Sequence, residues 1–305
     1  MTWSLEQMPD QTGRTALVTG VSEGGLGHFT ALELARRGAR VLLAGRNEMK
    51  VRATERAIRQ EVPQSDLARV LVDLADLTSV RTAAETVSEP LHLLVNNAGV
   101  MGPAYGRTVD GFETQLGTNH FGPFLLTGLL LPRLVESGEA RVVTVASLMH
   151  RAAPKPPLGD PRVQEGRYLR WPEYGQSKLA NLLFTFELER RLRAADLPVK
   201  GLAAHPGWAG THLASNGRFG RPSGGAASIL GAAMHAVGQS AAAGALPSLM
   251  AATADLPGAT YCGPSGPVEM RGAPRVVSSS RMARDEDAQR RLWEISEEAV
   301  GLRWP

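Results

Sequence analysis

The stretch Thr15-Ala-Leu-Val-Thr-Gly20-Val-Ser-Glu-Gly-Gly25-Leu-Gly27 decides the fold. Its first five residues carry no charge and are rich in β-branched side chains, the profile of a strand buried on both faces. Glycines follow at once, and a helical pattern starts behind them. A helix N-terminus presents unpaired N–H groups, so a glycine turn feeding one can approach and hold a pyrophosphate. A tight strand-to-helix turn that binds nothing has the same composition. The position between the first strand and the first helix favours the dinucleotide site.

Outward from this turn, short apolar runs alternate with amphipathic stretches. Strands are expected at 15–19, 40–44, 68–72, 91–95, 141–146 and 199–204, and helices at 28–37, 48–60, 79–87, 111–136 and 173–195. This alternation predicts one α/β domain, a doubly wound parallel sheet with helices on both faces. Within it, residues 1–13 read as an arm, 207–255 as a substrate lid region, 256–262 as a returning strand, and 263–305 as an extension with a helix over 284–300. Hydrophobic residues at 43% and charged residues at 21% exclude a disordered or fibrous chain. One cysteine, Cys262, excludes an intramolecular disulfide and a multi-cysteine zinc site. The net charge is only +3 and no Lys/Arg block occurs, so no nucleic-acid partner is expected. The apolar run 121–131 is too short to span a bilayer, and residues 1–10 lack the pattern of a signal peptide. A cytoplasmic location is the expectation.

Cofactor choice is read at the end of the second strand, where an acid suits a ribose hydroxyl and an arginine a 2′-phosphate. Here the strand ends Leu43-Ala-Gly-Arg46 with no acid before Arg46. Arg46 is alternatively a solvated loop charge, and Glu23 in the glycine turn opposes a nearby phosphate. NADP(H) is favoured over NAD(H).

At this point the chain resembles the short-chain dehydrogenase/reductase family over nearly its whole length. Asn96-Asn-Ala-Gly99 follows the fourth strand, Asp73-Leu74 the third, and Pro206-Gly207 through Thr211 the sixth. Asn119, Ser147, Tyr174 and Lys178 fall where that family has its catalytic four. Thr118-Asn-His-Phe-Gly122, Tyr174-Gly-Gln-Ser-Lys-Leu-Ala-Asn181, His205-Pro-Gly207 and Arg291-Leu-Trp-Glu-Ile-Ser-Glu297 resemble its retinol-dehydrogenase-like branch. The resemblance implies a Rossmann-type fold and a homo-oligomer. It also implies a nicotinamide cofactor held by Gly20, Ser22, Gly25, Leu26, Gly27, Arg46, Asp73, Leu74, Asn96, Ala98, Gly99, Tyr174, Lys178, Pro206, Gly207 and Thr211. One departure stands out: four residues, Val21 to Gly24, separate Thr19-Gly20 from Gly25-Leu-Gly27, where the family has three. Gly24 is expected to absorb the extra residue.

The chemistry follows from the residue types. Tyr174 and Lys178 are four apart on a helix and share a face. An ammonium beside the phenol, with an oxidised nicotinamide nearby, is expected to lower the tyrosine pKa, so that Tyr174 exchanges a proton with a carbonyl or alcohol. Ser147 follows the fifth strand and would hold the same substrate oxygen. The resemblance gives Asn119 a water near Lys178. His150 and His205 have no metal-ligand spacing and read as hydrogen-bonding loop groups, so no metal is expected. Met149, Trp208 and Phe219 line a substrate pocket or serve only in packing. The leading reading is an NADP(H)-dependent oxidoreductase that interconverts an alcohol and its carbonyl on an apolar substrate of moderate or large size. Alternatives are a silent NADP(H)-binding sensor and a carbonyl reductase of a polar intermediate.

Overall fold

The computed structural model describes residues 3–163, 166–208 and 239–305. Seven parallel strands form the sheet: β1 (Thr15–Thr19), β2 (Arg40–Gly45), β3 (Leu67–Leu71), β4 (Leu93–Asn96), β5 (Ala140–Val145), β6 (Val199–Ala204) and β7 (Tyr261–Pro264). The spatial order is β3-β2-β1-β4-β5-β6-β7, closed by β8 (Pro274–Val276), which lies antiparallel on β7. The order reverses between β1 and β4, which opens a crevice at the carboxyl ends of those strands.

Successive residues of a strand face opposite layers, so a doubly covered sheet needs two cores. Leu17, Leu42, Leu94 and Val142 share one with Phe124, Leu188 and Trp293. Their neighbours Val18, Leu43, Val95 and Val143 share the other with Leu34 and Leu249. The helices that supply these side chains are α1 (Leu26–Arg36), α2 (Glu48–Glu61), α3 (Leu77–Glu85), α4 (Thr114–Leu116), α5 (Gly122–Glu136), α6 (Arg170–Ala194), α7 (Ala241–Thr253) and α8 (Glu286–Val300). Among the described residues no helix is long and apolar enough to cross a membrane.

Four expectations need correction. The helix expected over 111–136 starts at Thr114 and is interrupted by a π turn, Gly117–Phe121. The strand expected over 256–262 is confined to Tyr261–Pro264. β8 was not anticipated, because three residues carry no readable period. The end of the 207–255 lid region is helix α7, and its Ala245, Leu249 and Ala251 are buried in the second core. Its alanine-rich face let it read as peripheral, yet small side chains are what allow α7 to pack closely. The rest of that region, including Thr211, Leu213 and Phe219, lies outside the described residues. The proline-rich insertion after Ser147 forms no helix beyond the short 3₁₀ turn Leu148–Ala152. It is tied down at its far end, where the Arg162 guanidinium covers the Phe112 ring at 4.6 Å and donates to the Ala299 carbonyl at 3.1 Å.

Candidate active site

The ends of β1 and β4 are one structural object. The Thr19 hydroxyl accepts from the backbone N–H groups of Asn97 and Ala98, both at 3.0 Å, and the Asn97 amide donates to the Thr19 carbonyl at 2.7 Å. Thr19-Gly20 and Asn97-Ala98-Gly99 are thus locked together from distant parts of the sequence. Gly20 has φ +76, and a Cβ there would lie 2.7 Å from the Ala98 backbone. At Gly27 a Cβ would lie 2.6 Å from both the Gly20 carbonyl and the Asn97 amide nitrogen. Only glycine lets α1 start this close to the sheet. The extra residue is absorbed as expected: Gly24, at φ +73, sits third in a turn closed by Gly25 N–H on the Ser22 carbonyl at 2.9 Å. Its own N–H donates to His28 Nδ1 at 2.9 Å, a buttress that the glycine spacing alone did not reveal. Gly25 caps α1 with no side chain, which leaves the first N–H groups of the helix facing the crevice without a side-chain partner. This cradle fits the pyrophosphate of a dinucleotide.

Of the remaining cofactor candidates, Arg46 is exposed directly after β2, while Asp73 and Gly99 are half-buried. Leu74 is buried in the first core. Asn96 is turned inward, its amide donating to Thr127 at 3.0 Å, so it can reach a ligand only through its backbone. Gly207 has φ +63 and is packed so closely on Met270 that a Cβ would lie 2.4 Å from the Met270 carbonyl. His205 Nδ1 accepts the Gly207 N–H at 3.2 Å, and its Nε2 donates to Glu269 at 3.1 Å.

Ser147, Tyr174, Lys178 and Asn119 converge at the carboxyl edge. Tyr174 is 8% exposed, and the Ser147 side chain is the polar group that faces its hydroxyl. Burial pushes the phenol up to about 12, with the Ser147 side chain working in the opposite direction. Lys178 Nζ lies 5.9 Å from the Tyr174 ring centroid and donates to the Val145 carbonyl at 2.9 Å. Burial brings this ammonium down to about 8. The expected lowering of the tyrosine by its lysine is therefore reversed in the chain alone, because both groups are desolvated and the ammonium is spent on a backbone carbonyl. Asn119 lies in the π turn. Its side chain is fully engaged, accepting from Val100 N–H at 2.7 Å and donating to the Val100 carbonyl and the Ser177 hydroxyl, both at 2.9 Å. Pro123, four residues on, has no N–H to give the Asn119 carbonyl, so that carbonyl lacks its ordinary helical donor.

Met149 is half-buried beside Ser147, and Trp208 is 38% exposed after β6. A further ring was missed. Trp171, 40% exposed on the first turn of α6, stands edge-on to Tyr174 at 6.5 Å between ring centroids. Its spacing of three from Tyr174 on a helix was the available signal. Among the described residues no group of three or more His, Cys, Asp or Glu is arranged to hold a metal.

A doubly wound sheet with a glycine cradle at its switch point and a buried Ser–Tyr–Lys group beside it defines a dinucleotide-dependent oxidoreductase. The short chain dehydrogenase family model matches residues 14–156. Mouse retinol dehydrogenase 12 is 39% identical over 295 residues, which are 96% of this chain and 88% of that protein. An uncharacterized oxidoreductase from Schizosaccharomyces pombe is 43% identical over 225 residues, 69% of this chain but 65% of that protein, just under two thirds of its length. A crystal structure of an uncharacterized protein from Mycobacterium paratuberculosis superposes with a TM-score of 0.83 at 41% identity, covering 100% of both chains. The chain belongs to the short-chain dehydrogenase/reductase family, and with it to the NAD(P)-dependent oxidoreductases.

Proposed function

We propose that this chain is an NADP(H)-dependent enzyme that interconverts a carbonyl and its alcohol, with Tyr174 as acid and base. The observation that carries the reading is that Tyr174 and Lys178 are both buried on one face of α6, with the Lys178 ammonium 5.9 Å from the Tyr174 ring and bonded to the end of β5, the strand that Ser147 follows beside the glycine cradle. The bound dinucleotide supplies or accepts the hydride. Ser147 holds the substrate oxygen, and Tyr174 gives that oxygen its proton in reduction or removes one in oxidation. Lys178 adds positive charge near the phenol. The Asn119 carbonyl is the natural seat for a water that links Lys178 to solvent. Trp171 and Trp208 offer apolar rings at the rim, which supports an apolar substrate.

A phenol held near 12 is fully protonated at neutral pH, the form that reduction requires. Oxidation needs the phenolate, whose fraction rises tenfold for each pH unit below the pKa. Between about pH 5 and 7, below the titration of Lys178 near 8, kcat/KM for reduction should therefore stay nearly flat while that for oxidation climbs. Rate profiles measured in both directions check this; an oxidation rate that ignores pH removes Tyr174 from the base role.

Arg46 supports NADP(H), because it is exposed at the end of a strand that carries no acid. The acid that follows, Glu48, is engaged by Arg52 at 2.6 Å. Charge-assisted contacts are worth about 1.5–3 kcal/mol, so Arg46→Ala should weaken NADPH by roughly 10- to 150-fold and NADH far less. Equal losses for both cofactors in a binding titration would reduce Arg46 to a loop charge. The activity itself is tested by NADPH consumption with a panel of apolar aldehydes and ketones, where turnover is expected. Tight NADPH binding without turnover of any carbonyl would instead favour a sensor.

A further inference from the structure

The 3₁₀ turn behind Ser147 is closed by a histidine with both ring nitrogens committed. His150 is fully buried; its Nδ1 lies 2.6 Å from the Ser147 carbonyl oxygen and its Nε2 3.1 Å from the Ser280 backbone nitrogen. A carbonyl can only accept and a backbone amide can only donate. The ring is therefore neutral, with Nδ1–H donating to Ser147 and Nε2 accepting from Ser280. Imidazolium has no acceptor, and burial brings this histidine down to about 4, so the two-sided bridge persists through the neutral range.

The far end of the bridge is anchored. Ser280 belongs to the segment that leaves β8, where Val277 N–H donates to the Tyr261 carbonyl at 2.8 Å and Ala283 N–H to the Ser280 hydroxyl at 3.3 Å. The next residue of the catalytic turn reaches the same segment: Arg151 donates to the Ser278 carbonyl at 2.7 Å and to Glu269 at 3.0 Å. Glu269 and its neighbour Val268 both have positive φ, at 57 and 53, a strained pair that holds the carboxylate toward Arg151 and His205. At the near end, Ser147 is held at its carbonyl by His150 and at its hydroxyl by the Met149 N–H, 3.2 Å away.

We propose that His150 is a positioning residue for the reaction: it ties the Ser147 turn to the segment after β8 and so sets the direction from which the Ser147 hydroxyl meets Tyr174. The proposal rests on the oxidoreductase reading above. Besides Ser147, the titratable groups that face Tyr174 are Lys178 on its own helix and Tyr261 on β7. Those that face His150 are Arg151, His205, Glu269 and again Tyr261, whose ring stands edge-on to it at 5.7 Å. None of these is altered by the substitutions below.

Two variants of similar size and polarity separate the two ends of the bridge. In His150→Asn the amide nitrogen falls near the Nδ1 position and keeps a donor for the Ser147 carbonyl. In His150→Gln the amide falls near Nε2, which keeps Ser280 and removes the ring donor from the Ser147 carbonyl, leaving it only the backbone N–H of residue 150 at 3.1 Å. A small misplacement of a reacting group costs up to about 100-fold, so the Gln variant should lose about 10- to 100-fold in kcat with the KM for NADPH unchanged. Its rising limb for alcohol oxidation should move to higher pH, read as a loss of oxidation at each pH beyond the loss of reduction, since the Ser147 hydroxyl no longer supports the phenolate. The Asn variant should recover most of kcat and lie between parent and Gln in pH profile, with a fall in Tm like that of the Gln variant. A merely structural histidine would lower Tm and leave the pH limb in place. If neither variant binds NADPH, Ser280→Pro deletes the N–H that anchors Nε2 together with the hydroxyl that accepts from Ala283; Ser280→Ala, which loses the hydroxyl alone, is its control, and an intermediate shift of the limb beyond that of Ser280→Ala is expected. An unmoved limb in the Gln variant, or in Ser280→Pro when that serves, overturns the proposal while the parent remains active. A parent without turnover overturns the underlying reading and this proposal together.

Discussion

Tyr174→Phe is expected to remove carbonyl reduction by about 10²- to 10⁴-fold, the ordinary worth of a positioned proton donor, while NADPH affinity changes little. The ring stays, and with it the edge-on contact to Trp171 at 6.5 Å and the approach of Lys178 at 5.9 Å. The Ser147 hydroxyl keeps its hydrogen bond from Met149 N–H at 3.2 Å, so the turn is not left unsatisfied. What disappears is one phenolic proton in a pocket where nothing else is placed to deliver it. Lys178 reaches the Val145 carbonyl at 2.9 Å, and the Ser147 hydroxyl, far less acidic than a phenol, is a poor substitute proton donor. The measurement is steady-state kcat with NADPH and the best carbonyl found, together with a binding titration of NADPH. A variant that retains more than a tenth of parent turnover near neutral pH would displace Tyr174 from the acid role.

Trp293→Ala should cost about 3–5 kcal/mol of folding stability, the range for deleting a fully buried aromatic, and lower Tm by roughly ten degrees. Trp293 is 1% exposed on α8 and packs edge-on to Phe124 at 5.0 Å, beside Trp304 at 4.6 Å and flat on Phe184 at 5.9 Å. The Arg191 guanidinium covers its ring at 4.5 Å. Phe124 and Phe184 belong to α5 and α6, so the ring joins the C-terminal helix to the two helices that follow Asn119 and carry Tyr174. The neighbouring His120 bonds the Ser296 hydroxyl on α8 at 2.8 Å, which makes the loss felt next to the π turn. Thermal unfolding measures the effect, with Trp171→Ala as the comparison: that ring is 40% exposed, and its removal should shift Tm by no more than a degree or two. Similar shifts for both variants would mean that α8 is not integral to the core.

Much of this protein is legible in local sequence. β1 and β6 run where their apolar runs predict, over Thr15–Thr19 and Val199–Ala204, because a doubly covered strand is mostly apolar, the one charge of the pair, Lys200, standing next to the start of β6. The turn after β1 is equally plain: Gly20, Gly24 and Gly27 stand where backbone conformation or close approach admits no side chain. The pairing of Tyr174 with Lys178 follows from helical geometry alone. Of the α8 stripe that its period suggests, Leu292, Trp293, Ile295 and Ala299, three are buried while Ile295 is half-buried and Ser296 takes the inner place.

What the chain could not state in one dimension is where groups meet. That Thr19 locks Asn97, that His150 reaches Ser280, and that α7 fills a core rather than a lid are each decided by contacts between residues far apart in sequence, for which no local period exists. The tyrosine is the clearest case. Its neighbour Lys178 was visible and, with an oxidised nicotinamide, suggests a lowered pKa; in the chain alone burial works the other way, because desolvation of a phenol depends on everything packed around it. Sequence determined the sheet, the cradle and the identity of the reacting groups. Only the tertiary structure decided their protonation and their hydrogen-bond partners, since both depend on which distant side chains exclude water from the site.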